Sequence, residues 1–145
     1  MLSPVIGYGI KGAIWYQGES NGYEGTLYRT LFPGMIQNWR DRWKQPDLPF
    51  LFVQLANYRE APAEPGDSNW GRLREAQLMT LSVPNTAMTV AIDVGDANDI
   101  HPKDKQTVGY RLSRNALKLV YGKPVADSGP IYTSMQTEGD KIIRH

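Results

Sequence analysis

Apolar residues fall in short blocks along this chain, and the blocks alternate between two periods. Ile10–Tyr16 (IKGAIWY), Pro49–Leu55 (PFLFVQL) and Thr86–Ile92 (TAMTVAI) are brief, β-rich runs of the kind that form buried strands. Between the first two the period lengthens. Leu27, Leu31, Met35, Trp39 and Trp43 recur every four residues, with Tyr28, Phe32 and Ile36 beside them, which predicts a helix with one apolar face. Pro33 lies inside this pattern and predicts a kink or a break into two pieces. A second helix is predicted over Trp70–Leu81, capped by Ser68 or Asn69. A third is predicted from Pro102, at its first position, to about Tyr121. Its buried stripe is Val108, Leu112, Ala116 and Leu119/Val120, and Gly122 ends it.

The resulting order, β-α-β-α-β-α with short apolar strands, predicts an α/β fold: a parallel sheet with helices on both faces. Reactive loops in such sheets sit at the carboxyl ends of the strands. Here those ends are Gln17–Gly25, Ala56–Ser68 and Asp93–His101, and each carries polar residues of chemical interest. The second includes "NYREAPAEPGDSNWG", a long Pro-, Gly- and Glu-rich loop of the kind often found at functional sites.

Composition narrows the partners more than the fold. The chain has 145 residues, enough for one core, with 41% hydrophobic and 21% charged residues. A formal net charge of +1 gives no electrostatic reason to expect nucleic acid or an anionic membrane as partner. Cysteine is absent, so disulfides and thiolate metal ligands are excluded. No apolar run approaches the ~20 residues of a membrane helix. The opening "MLSPVIGYGIKG" lacks the layout of a signal peptide. Met1 has the character of an internal methionine, and "DKIIRH" stops in a strand-like run. A fragment truncated at both ends is therefore expected.

The segment Gly18–Gly22, GESNG, fits the G-x-S-x-G pattern of a serine nucleophile elbow. An elbow turns at once into a helix, whereas here "YEG" intervenes before the helical pattern begins. Elbow hydrolases also take acid and base from separate loops, whereas Asp99 and His101 share one. The same block reads as a donor loop. Gln17 and Asn21 carry amide groups, and Gly18 and Gly22 let backbone approach a ligand, as an oxyanion requires. A plain polar turn is the other reading.

In "DANDIHP", His101 is a candidate general base and Asp99 its orienting carboxylate. The alternative makes Asp99 a helix cap and His101 a surface residue. Asp93, Asp96, Asp99 and His101 match neither a calcium loop nor a zinc site in spacing, so no metal is expected. In "GRLREAQ", Arg72, Arg74, Glu75 and Gln77 read most simply as an amphipathic helix with solvated charges, with an Arg or Glu facing the site to steady Glu19 as the functional option. Asn57, Tyr58 and Trp70 either pack the long loop or line a sugar pocket.

Taken together, "IKGAIWYQGESN", "LFPGMIQNWRDRW", "PFLFVQLANY", "LREAQ" and "DVGDANDIHPKDKQTVGYRL" resemble the sialate O-acetylesterase family of SGNH-type carbohydrate esterases. The resemblance covers nearly all of residues 6–122. It implies a three-layer SGNH/flavodoxin-like sheet, incomplete in this chain. Residues 1–122 would be the C-terminal part of the hydrolase domain, and 123–145 the start of a β-rich region. It also implies removal of O-acetyl groups from sialic acid or a related sugar by Ser-His-Asp catalysis, without a cofactor. By the same resemblance His101 is the base and Asp99 its partner, with Asp96 as the fallback acid. Gln17 and Gly18 stabilise the oxyanion, Asn21 shares that loop, and Glu19 and Arg74 support it. The nucleophile belongs to a "GQSN"-like block that this chain lacks, so it is expected upstream and the fragment alone is expected to be inactive. Family members are often exported, which implies a periplasmic or extracellular setting. A non-catalytic sugar-binding fragment is the competing reading. A flavodoxin-like nucleotide binder is disfavoured because no phosphate-cradling glycine loop is present.

Overall fold

The computed structural model describes residues 2–144. Its centre is set by one strand. Phe50–Val53 (β2) is apolar at every position and buried on both faces. It pairs in parallel with Ala13–Trp15 (β1) on one side and Thr86–Thr89 (β3) on the other. Ala13 lies opposite Phe50 and Phe50 opposite Thr86. Alternation along β2 sends Phe50 and Phe52 to one face, Leu51 and Val53 to the other. The first face carries helices Gly25–Trp43 (α1) and Asn69–Met79 (α2). The second carries Lys105–Leu119 (α3). The expected parallel sheet with helices on both faces is present.

Around Phe50 and Phe52 the core is largely aromatic. Phe32 meets Phe52 edge to face at 5.0 Å, and Trp15, Trp39 and Tyr28 extend the cluster. The α3 side is aliphatic, built from Leu51, Val53, Ala87, Val108 and Leu112. α1 and α2 cross so closely that a Cβ on Gly25 would lie 2.8 Å from the backbone of Arg72 and Leu73.

Several predicted features are corrected. Of the kink or break expected at Pro33, the break does not occur: α1 runs continuously with Pro33 inside it. Proline removes only its own bond to the carbonyl four residues back. That carbonyl belongs to Arg29, an exposed residue. Of the expected apolar face of α1, Tyr28, Phe32 and Ile36 are buried and Met35 and Trp39 pack at the edge of the core, while Leu27 and Leu31 are about half exposed; Arg40 joins the buried row. α2 stops at Met79 and continues as a 3-10 turn over Thr80–Ser82. Ser68 is its cap, accepting from Gly71 N at 3.1 Å.

α3 begins three residues later than expected. Asp104, not Pro102, stands at its start, and its carboxylate accepts from Thr107 N at 2.9 Å. Gly122 does close α3. At φ 61 it lets Gly122 N reach Lys118 O and Lys123 N reach Leu117 O, satisfying two terminal carbonyls. Beyond it, Arg114 Nε donates to Ala126 O at 2.6 Å and Lys118 pairs with Asp127 at 2.7 Å. Met135–Glu138 (β4) and Lys141–Arg144 (β5) form an antiparallel hairpin that turns at Gly139. His145, for which no role was expected, lies outside the described residues. No helix among the described residues is long and apolar enough to cross a membrane.

Candidate active site

All three loops at the carboxyl ends of the strands meet in one cleft of about 780 Å³. The first loop contributes Glu19, Gly22 and Tyr23, the second Asn57–Pro62, and the third Ala97 and Ile100; α2 adds Trp70 and Arg74. Trp70 and Tyr58 stand 5.6 Å apart, ring to ring. Trp70 Nε1 donates to Ala56 O at 2.8 Å, so this aromatic pair both packs the long loop and lines the cleft.

The first loop leaves β1 through Gly18 at φ 147, a conformation that L side chains rarely adopt. A Cβ there would also lie 3.2 Å from Gln77 Nε2 and 3.3 Å from Leu73. Glu19–Asn21 then form a 3-10 turn and not a helix. Ser20 sits exposed in that turn, and no hydrogen bond among the described residues joins it to His101. Gln17 Nε2 donates to Asn21 Oδ1 at 2.8 Å, and Asn21 Nδ2 donates to Glu24 Oε2 at 2.9 Å. The hydroxyl of Tyr28 donates to Gln17 Oε1 at 3.1 Å.

Gln77, read from the sequence as part of a solvated helix face, is instead buried on α2. Its Nε2 donates to Gln17 O at 3.2 Å and its Oε1 accepts from Leu55 N at 2.9 Å. One side chain thus ties the ends of β1 and β2 together. The available signal was a lone glutamine on the apolar side of "LREAQ", in phase with Leu73 and Ala76.

In the third loop the structure brings Asp99 and His101 together. Asp99 Oδ1 accepts from His101 N at 2.9 Å and lies 3.6 Å from His101 Nδ1. The imidazole is largely exposed, 85% for the side chain. Asp99 ionises below its ordinary value, first through the bond from His101 N and then through the charges of Lys103 and His101. Asp96 turns to Asn98 N at 2.9 Å instead. The helix-cap reading of Asp99 fails, because Asp104 holds that place. Arg74 and Glu19 both line the cleft, with no ion pair between them among the described residues. Burial lowers the pKa of Arg74, whose Nε has no partner among the described residues.

Asp93 has a different occupation. Arg111 grips it with two bonds, 2.6 and 2.7 Å, and also donates to Val90 O at 2.8 Å. These bonds hold the Asp93 carboxyl down at about 2. A lowered carboxyl pKa makes the pair favourable above the unfolded pKa and loses it as pH falls through the folded one. A carboxyl-carbon NMR titration should therefore place Asp93 near 2, and Arg111→Met should return it toward 3.8.

Of the expected site residues Glu19 and Arg74 line the cleft, whereas Gln17, Gly18, Asn21, Asp99 and His101 belong to its loops without lining it. A parallel sheet with helices on both faces and three polar loops meeting at its carboxyl edge define the class: an α/β domain with its candidate site at the strand ends. The comparisons take this to a family. The family model described as carbohydrate esterase, sialic acid-specific acetylesterase, matches residues 3–118. The sialate O-acetylesterase of Mus musculus is 38% identical over 90% of this chain, and that of Homo sapiens 35% over the same share. A crystal structure of a carbohydrate acetylesterase from Xanthomonas citri superposes with a TM-score of 0.92 at 39% identity, covering 99% of this chain and 34% of that one. The chain belongs to the sialic acid-specific acetylesterase family of carbohydrate esterases. It spans about a quarter of the mouse relative, 27% of its length.

Proposed function

We propose that this chain supplies the acid–base and oxyanion parts of an esterase that removes O-acetyl groups from sialic acid or a related sugar. The observation that carries the reading is the meeting of three strand-end loops in one cleft, with Asp99 beside His101 on one of them. In this reading residues 1–122 are part of an SGNH hydrolase domain and 123–145 open a β-rich region. The nucleophilic serine comes from sequence outside these 145 residues, and the fragment alone is inactive.

The chemistry follows from the atoms. Asp99 faces Nδ1 of His101, which leaves Nε2 to take the serine proton as Oγ attacks the acetyl carbonyl. The carbonyl oxygen becomes an oxyanion, held by Gln17 Nε2 and the Gly18 N–H. Its collapse breaks the ester bond, and the imidazolium returns the proton to the departing sugar oxygen. Water, deprotonated by His101, then attacks the acetyl-enzyme and releases acetate. Glu19 and Arg74 support the loop and the cleft wall. Tyr58 and Trp70 offer apolar faces for the sugar ring.

The test is hydrolysis of p-nitrophenyl acetate and of O-acetylated sialic acid by the whole polypeptide that carries these residues. Gln17→Ala should lower kcat by about 10²–10³-fold, the usual cost of one oxyanion donor. Sugar binding without turnover, unchanged by His101→Ala, would favour the non-catalytic reading instead.

A further inference from the structure

Gln17 carries a carboxamide, and a carboxamide has two ends that differ only in polarity. An oxyanion needs the N–H end. In isolation the group would gain as much from the reversed orientation at another contact, so something must set its direction. A run of hydrogen bonds through the first loop does this.

The run starts at a group with only one polarity. The Glu24 carboxylate accepts and never donates, so it takes Asn21 Nδ2 at 2.9 Å. Asn21 is thereby turned with Oδ1 toward Gln17, where it receives one N–H of Nε2 at 2.8 Å. At its other end Gln17 Oε1 accepts from the Tyr28 hydroxyl at 3.1 Å. Tyr28 is buried, and burial raises its pKa, so the phenol keeps its proton to donate. Each bond agrees with the next. The second N–H of Gln17 Nε2 has no partner among the described residues.

The backbone below is fixed as well. Gln17 O accepts from Gln77 Nε2 at 3.2 Å, and Gln77 is anchored to Leu55 N. A donor to Oε1 also draws charge from the amide nitrogen, which makes the remaining N–H a stronger donor.

We propose that Glu24, Asn21 and Tyr28 are positioning residues that set the polarity of the Gln17 amide and point its free N–H at the oxyanion. This rests on the assignment of Gln17 as an oxyanion donor. None of the three touches the reacting atoms.

The experiment compares Tyr28→Phe, Glu24→Lys, Glu24→Gln and Gln17→Ala in the whole polypeptide, reading kcat, KM and melting temperature with p-nitrophenyl acetate. Tyr28→Phe removes only the hydroxyl. Glu24→Lys replaces an acceptor by a donor and favours the reversed amide at Asn21 and then at Gln17. Glu24→Gln keeps an acceptor oxygen. The expected result is a roughly tenfold fall in kcat for Tyr28→Phe and for Glu24→Lys at nearly constant KM, a fraction of what losing the donor costs. Glu24→Gln should stay within about twofold of the parent, as rescue by an acceptor requires. If Gln17→Ala loses activity while Tyr28→Phe and Glu24→Lys keep theirs, the positioning role is overturned and the oxyanion assignment stands. If Gln17→Ala is itself fully active, both fall. A fall in kcat for Glu24→Gln equal to that for Glu24→Lys would also overturn the inference, because charge and not polarity would then be the cause. A fall in melting temperature with kcat unchanged would make the run a structural device only and overturn it too.

Discussion

His101→Ala is expected to lower acetyl-ester hydrolysis by the whole polypeptide by about 10³-fold or more, leaving only what substrate binding and the oxyanion donors supply. The size follows from the number of steps that use one group. In the proposed mechanism the imidazole takes the serine proton, gives it to the departing sugar, and deprotonates water in the second half of the reaction. The loss should therefore fall on kcat, with KM little changed. Stability should hardly move, because the His101 side chain is largely exposed and buries almost nothing. Asp99→Asn tests the partner. The asparagine oxygen would still accept from His101 N, keeping the turn, but the charge facing Nδ1 would be lost. A fall in kcat without a fall in melting temperature is expected. Asp96→Asn, whose carboxylate engages Asn98 N, should have a much smaller effect.

The second large effect concerns stability. Arg40 looks like a solvated charge near the end of α1, yet it is buried, 4% exposed. Its Nε and Nη2 both donate to Leu48 O at 3.1 Å, and Nη2 reaches Pro84 O at 2.6 Å. Leu48 precedes β2 and Pro84 precedes β3, so one guanidinium anchors the entrances of two adjacent strands to α1. Burial lowers its pKa, but the group stays charged at neutral pH. Arg40→Ala would leave these carbonyls unpaired and open a space beneath them. A loss of about 3 kcal/mol or more is expected in chemical denaturation. Arg40→Lys should recover only part of it, since a single ammonium lacks the planar fork.

These two residues show where the sequence was legible. Strand and helix order followed from block length and period, and the cleft from knowing which strand ends carry loops. The proximity of Asp99 and His101 was legible because they lie two residues apart on one loop. The burial of Arg40 and Gln77 was not legible. Each is a polar side chain whose partners are backbone groups on other elements, 8 to 60 residues away. Local pattern reading assigns such residues to solvent. The apolar face of α1 was legible as a whole, but not how deeply each part of it lies. Two rows run along that helix, and packing against the sheet and α2 buries Tyr28, Phe32 and Ile36, with Met35 and Trp39 at the edge of the core. The start of α3 was misjudged because Pro102 and Asp104 are both good first-turn residues, and the carboxylate bond to Thr107 N decided between them.

The central claim is that "GESN" forms an oxyanion loop and does not carry the nucleophile. It is tested most directly by comparing Ser20→Ala with Gln17→Ala for acetyl-ester hydrolysis in the whole polypeptide. The account predicts that Ser20→Ala keeps kcat within about twofold while Gln17→Ala loses about 10²–10³-fold. Abolition of activity by Ser20→Ala, with Gln17→Ala still active, would contradict it and make Ser20 the nucleophile.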